Sequence, residues 1–291
     1  MKPRVLEKTH LIATVVFFVG YLAAYAISTS SVVAPAADPE AVRPELLVTA
    51  LFMALGGYAH ACFMLGWRRA TLFLGLCVVI SFVAQVLLVH VLYGGGLRYT
   101  GVLGPKLLGV PLVVPLMWFM MTYPAYVMAN LMLGGGLTWT SVKPWQLLWL
   151  SFLTAVIHAA WDLSRGPTMV HKFHAWSWAD GGPYFGVPYN DVWVWVVVTF
   201  LVVLAYRVLE LRVPLRPMGR TTAFVGLMPV AVYALSGLLD ALGGAPTAVR
   251  IIVPFAMGIP VCLALDGLLD RVAAWRALAD VLEERAGRAG R

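Results

Sequence analysis

Residues 145–163 read WQLLWLSFLTAVIHAAWDL. Wound as a helix, these nineteen residues rise about 28 Å, close to the ~30 Å of hydrocarbon in a bilayer. Runs of this kind recur at Leu46–Trp67, Thr71–Tyr93, Leu108–Leu133, Asp191–Leu209, Thr222–Leu242 and Ala248–Leu269, and at His10–Ser31, which is read as a retained first helix and not a cleaved signal. The chain is 61% hydrophobic and only 12% charged, with a mean hydropathy of +0.84. Soluble domains carry about twice that charged fraction. The expected fold class is therefore all-α: a polytopic transmembrane helical bundle of about eight spans. Residues 1–275 form its single domain and residues 276–291 a short charged tail of helical spacing.

The connections agree. Pro35–Pro44 is an acidic, proline-bearing loop, Arg68-Arg69 is a basic turn, and Gly94-Gly95-Gly96 and Gly134-Gly135-Gly136 punctuate two gaps. With the N-terminus cytoplasmic, Arg68, Arg69, Arg207, Arg212, Arg216 and the C-terminal arginines fall inside. Arg43, Arg98, Lys106, Arg165, Lys172 and Arg250 fall outside. Both termini are thus expected in the cytoplasm. The formal charge of +7 belongs to flanks that meet anionic headgroups, not to nucleic acid. Cys62, Cys77 and Cys262 stand inside apolar runs without paired spacing, as small buried hydrophobes do.

This topology sets two long loops on one side of the membrane, Gly94–Lys106 and Leu163–Tyr189. Each is followed by a Gly-Val-Pro placed at a helix start, Gly109-Val110-Pro111 and Gly186-Val187-Pro188, which hints at an internal repeat. Ionisable groups within spans are costly and mark candidate sites. On the fifth span Ser151, Thr154, His158, Trp161 and Asp162 share a face, with His158 and Asp162 four apart and within reach of one another. Removal from water favours the neutral form of a carboxyl, which suits a proton donor. The same pair would also serve as a plain hydrogen bond closing a helix end. Asp191 at the start of the sixth span either complements the helix dipole or works beside Asp162. Trp118, Thr122, Tyr126 and Asn130 stand four apart on the fourth span, which also carries Pro111, Pro115 and Pro124. That stripe lines a cavity or packs against another helix. His60, Gln85 and His90 are read as packed, and Asp240 and Asp266 as interfacial.

Scattered histidines, among them the lone HxxH of His171 and His174, do not suit a di-iron centre. No GxGxxG supports a nucleotide cofactor. No lysine within these spans is available for a retinal Schiff base.

The stretches Leu103-Gly104-Pro105-Lys106-Leu107-Leu108-Gly109-Val110-Pro111, Trp118-Phe119-Met120-Met121-Thr122-Tyr123-Pro124-Ala125, Trp161-Asp162-Leu163, Gly166-Pro167-Thr168-Met169-Val170 and Tyr184-Phe185-Gly186-Val187-Pro188-Tyr189-Asn190 resemble the membrane carotenoid-biosynthesis family. That family includes carotenoid 1,2-hydratases acting on acyclic end groups, among them the bisanhydrobacterioruberin type. This chain has Gly166 and Gly101 where the family pattern has acidic residues.

The resemblance implies cofactor-independent hydration of a terminal C1=C2 double bond in a bacterial inner membrane, on an acyclic carotenoid such as lycopene. Other carotenoid-biosynthesis enzymes are further partners beside the bilayer itself. In this reading Asp162 is the acid, His158 orients it or takes a proton from water, and Asp191 assists. Asn190 and Tyr184 position the water. Trp118, Thr122, Tyr126, Trp161, Trp176, Trp178, Phe185 and Trp193 line the substrate site, where aromatic faces stabilise a cation; an interfacial aromatic belt is the other reading of several of them. A cyclase or isomerase of carotenoid ends, or a non-catalytic carotenoid or lipid carrier, would share much of this pattern.

Overall fold

The computed structural model describes residues 3–31, 42–94, 96–133, 143–216 and 223–289. Most of the Pro35–Pro44 loop, Gly95, the Gly134–Gly136 gap and the side chains of the tail lie outside the described residues.

The described chain is a helical bundle. Helices α1 (Pro3–Ser31), α2 (Pro44–Leu65), α3 (Trp67–Leu87, continued by a π-helical turn at Leu88–Leu92), α4 (Val114–Met132), α5 (Pro144–His171), α6 (Tyr189–Glu210) and α7 (Ala223–Gly243) follow in order. A last rod runs from α8 (Val249–Val253) through a π-helical turn at Pro254–Gly258 into α9 (Ile259–Ala289). Seven of these helices are long and apolar enough to cross a membrane, making the chain a multi-pass integral membrane protein.

The seven do not include α4, and its position explains why. Nearly every side chain from Val114 to Leu131 is buried, because α4 packs against α2, α3, α5, α7 and α9. A helix that meets protein on all sides need not present hydrocarbon all round, so α4 holds Thr122, Tyr123, Tyr126 and Asn130 within the bundle. It also begins later than the expected Leu108. Residues 106–111 instead form a short hairpin, β2 (Lys106–Leu107) against β3 (Val110–Pro111).

The end of α5 also differs from expectation. The helix does not stop at Leu163 but continues through Gly166-Pro167 to His171. Pro167 has no N–H to give to the Leu163 carbonyl, which ordinarily ends or kinks a helix. Here the Tyr184 hydroxyl donates to that carbonyl at 2.7 Å, so the gap in the ladder is closed from outside the helix. The loop that supplies Tyr184 also contains β4 (Trp176–Trp178), which pairs antiparallel with β1 (Leu97–Tyr99) from the other long loop.

At the far ends of α3 and α6, Arg69 and Arg207 are buried rather than placed among headgroups. Arg69 contacts Glu210 at 3.4 Å and donates to the Val213 carbonyl. Arg207 donates to Asn130 and stands 4.4 Å over the Tyr126 ring. Charges removed from lipid persist only when paired in this way.

Tyr184→Phe is expected to cost about 1 kcal/mol by stranding the Leu163 carbonyl. A lowered unfolding midpoint in detergent, together with faster amide exchange around residues 163–171, would register it.

Candidate active site

Four side chains on α5, His158, Trp161, Asp162 and Arg165, follow at helical steps and point to one side. They face a cavity whose roof is the β1–β4 pair. Residues opposite one another in that pair share a face, so Leu97 and Trp178, and Tyr99 and Trp176, all look inward. Trp118 from α4, Asp191 and Trp195 from α6, and Gln85 from α3 complete the walls.

His158 is buried, and both ring nitrogens meet polar atoms. Its Nε2 lies 3.4 Å from Asp162 Oδ2, and its Nδ1 lies 3.0 Å from the Thr122 hydroxyl and 2.9 Å from the Thr199 hydroxyl. Assigning Nδ1 as the acceptor from a threonine hydroxyl places the ring proton on Nε2, facing Asp162. The edge of the Trp118 ring meets the imidazole with centroids 5.1 Å apart.

Arg165 could serve as counter-ion to Asp162, but another carboxylate holds it. Its guanidinium lies 3.0 Å from Asp240 Oδ1, while Asp240 Oδ2 accepts from the Ser164 hydroxyl at 2.9 Å. Asp240 is buried where α7 packs against α5. Asp162 is thereby left to His158.

Across the cavity Asp191 is also buried. Its side chain does not cap α6 but accepts from the Tyr93 hydroxyl at 3.3 Å. Tyr99 donates to Gln85 at 2.7 Å; burial, and then the nearby Asp191 and Asp162, push its phenol pKa well up, so it stays a neutral donor. The indole N–H groups of Trp161 and Trp178 are buried without a protein acceptor. No three His, Cys, Asp or Glu side chains among the described residues converge to hold a metal.

The two Gly-Val-Pro tripeptides prove to be one structure built twice. Leu108-Gly109 and Phe185-Gly186 each form a two-residue hairpin turn with both residues at positive φ (50° and 79°; 48° and 80°). In each, a histidine closing the preceding helix meets the carbonyl of the first turn residue at 3.0 Å: His90 with Leu108, His171 with Phe185. The match extends into the helices. Seven residues after each proline stands a tryptophan of the cavity wall, Trp118 and Trp195, and four further on stands a threonine, Thr122 and Thr199. These are the two hydroxyls that meet on His158. The first tripeptide belongs to β3, ahead of α4, whereas the second leads directly into α6.

Of the residues singled out in the sequence, Asp162, His158, Asp191, Trp118, Trp161, Trp176 and Trp178 converge on this cavity, with Thr122 behind the histidine. Others do not. Tyr126 is packed among Phe73, Tyr206 and Arg207, deep in the bundle. The Tyr184 hydroxyl is committed to Leu163, and the Phe185 ring packs on Tyr184. Asn190 and Trp193 border a groove on the outer surface, where Trp193 is 66% exposed.

Arg165, Asp240, Tyr99, Tyr93, Gln85, Trp195 and Thr199 were not foreseen at the site. Helical period alone would have found two of them, because Asp191, Trp195 and Thr199 step by four along α6.

A profile of the family described as carotenoid biosynthesis protein matches residues 44–265. No curated protein and no solved structure matches the chain.

Because either threonine can donate to Nδ1, Thr122→Val and Thr199→Val should each be mild alone. Together they should cost about 1–3 kcal/mol by leaving a buried acceptor bare, a non-additivity that a double-mutant cycle on unfolding in detergent would display.

Proposed function

From the premise that the chain belongs to the carotenoid biosynthesis protein family, we propose that it adds water to the terminal C1=C2 double bond of an acyclic carotenoid. The observation that carries this reading is a carboxyl group, Asp162, directed into an indole-walled cavity and attended by His158. Protonating an alkene requires an acid that approaches the carbon and a surrounding that tolerates a carbocation. Trp118, Trp161, Trp176, Trp178 and Trp195 supply that surrounding. Each aromatic face is worth up to ~2 kcal/mol to a desolvated cation.

In the proposed cycle the Asp162 proton passes to C2, the C1=C2 electron pair forms the new C–H bond, and positive charge remains at the tertiary C1. The His158 Nε2–H steadies the carboxylate that results. A water held against Asp191 uses an oxygen lone pair to bond C1, and its surplus proton goes to Asp191. Proton return to Asp162 closes the cycle, with one water consumed and a tertiary alcohol released. The Arg165–Asp240 pair keeps a strong cation from neutralising Asp162. The roof strands limit the water that reaches the cation, so that capture at C1 competes with proton loss.

Membranes containing the protein, incubated with lycopene in heavy-oxygen water, should yield a product heavier by one labelled water. Asp162→Asn should abolish that product at unchanged expression, and Asp191→Asn should lower it by at least about ten-fold. A product of unchanged mass would identify an isomerase or cyclase instead, and label drawn from dioxygen would exclude hydration.

A further inference from the structure

Beneath the acid-bearing cavity lie two more, and the three share walls. The second meets the first along Met117, Trp161 and Arg165. The third meets the second along Tyr21, Met53 and Met120. Polarity falls away along this series. The first contains two aspartates, a glutamine and a histidine; the third is walled mostly by Phe, Met, Gly and Pro side chains of α1, α2, α4 and α7. Along α2 the second and third cavities run from Leu46 to His60, which at helical rise is about 21 Å, or some two-thirds of the bilayer hydrocarbon.

At the far end His60 offers nothing to a ligand. Its Nδ1 meets the Tyr123 hydroxyl at 2.7 Å and its Nε2 the Val225 carbonyl at 2.8 Å. The series therefore ends against a satisfied side chain.

We infer that these cavities form one channel that holds the hydrocarbon tail of a long acyclic isoprenoid while its end group sits beside Asp162. The inference rests on the proposed reading for the identity of the end group, but its content is the tail. Three features favour such an occupant over a lipid acyl chain lying outside the bundle. The channel adjoins the acid cavity, its walls beyond the Arg165–Asp240 pair and Lys172 are mostly apolar, and both of its partitions contain methionines. Met117 stands at the first partition, and Met53 and Met120 at the second. Unbranched, flexible thioethers swing aside with little strain, so a narrow polyene can pass on the methionine side of each partition, past Trp161 and Arg165 at the first and Tyr21 at the second. The depth of the channel then sets which substrate lengths fit, and Gly57, whose missing Cβ faces Phe119 and Tyr123 at ordinary contact distance, keeps the last part open.

The test uses the full chain in lipid nanodiscs with two probes, an acyclic forty-carbon polyene and an acyclic ten-carbon isoprene hydrocarbon. Binding is read by quenching of tryptophan fluorescence, so no turnover is needed. Ala50→Phe, which fills the second cavity, and Gly57→Leu, which fills the third, should each weaken the long probe by about ten-fold or more and leave the short probe unchanged. Equal binding of the long probe by wild type and both folded variants would overturn the channel. Should a bulky variant fail to fold, Met120→Ala decides. It widens the second partition and should tighten binding of the forty-carbon probe while leaving the ten-carbon probe unchanged, and an unaltered ratio of the two overturns the inference. Wild-type protein that binds the long probe with this length dependence but returns it without added water would sink the hydration reading and leave the channel standing.

Discussion

The bond network around His158 is the constraint to which the rest of the bundle answers. An imidazole within a membrane-spanning helix is costly unless both nitrogens are engaged. Here Nδ1 meets hydroxyls from two other helices, and Nε2 meets the carboxyl one turn along its own. That arrangement needs α4 and α6 both close to α5 at the same ring nitrogen, and so requires α4 to sit inside the bundle instead of facing lipid. Once α4 is inside, it can hold Thr122 and Asn130, which lipid would not tolerate, and Asn130 in turn receives buried Arg207. The polar interior is thus a consequence of one ring being satisfied from three helices.

Membrane-spanning helices were plain in the sequence because apolar length is a strong and local signal. The details that shape the cavity were not local. Proline at position 167 reads as a stop, and only the tertiary bond from Tyr184 to Leu163 lets α5 run on to His171. Trp176 and Trp178 were legible as aromatic residues near an acid, but their inward direction comes from a two-strand pairing with Leu97 and Tyr99, almost eighty residues away. Trp193 and Asn190 were attractive by proximity to Asp191, yet helical geometry turns them outward while Trp195 turns in. Gly166, where an acidic residue was expected, has a reason to remain glycine: a Cβ there would stand 2.6 Å from the Trp195 ring.

Five of the six basic residues that run against the charge bias find partners within the protein. Arg165 pairs with Asp240, Arg43 with Glu45 at 3.6 Å, and Lys106 donates to the Tyr99 carbonyl. Lys172 and Arg250 donate to the Gly243 and Gly244 carbonyls at the end of α7, where cations complement the helix dipole. Burial, and then the neighbouring Arg250 and Arg165 charges, lower the Lys172 pKa. These cations are retained as internal fasteners, so they weigh little in a rule about loops that face water.

The doubled hairpin turn has one more consequence. Counting back from His90 as one counts back from His171, the positions matching His158 and Asp162 are Cys77 and Ser81, both fully enclosed. Two copies carried on separate identical chains would be obliged to match, and a shared chamber would then hold two imidazoles and two carboxyls, crowding like charges together. Joined in one polypeptide, the copies are free to diverge: one half keeps the titratable pair and the other keeps only its outline in small, uncharged side chains. Asymmetry of that kind lets a single direction of approach be productive.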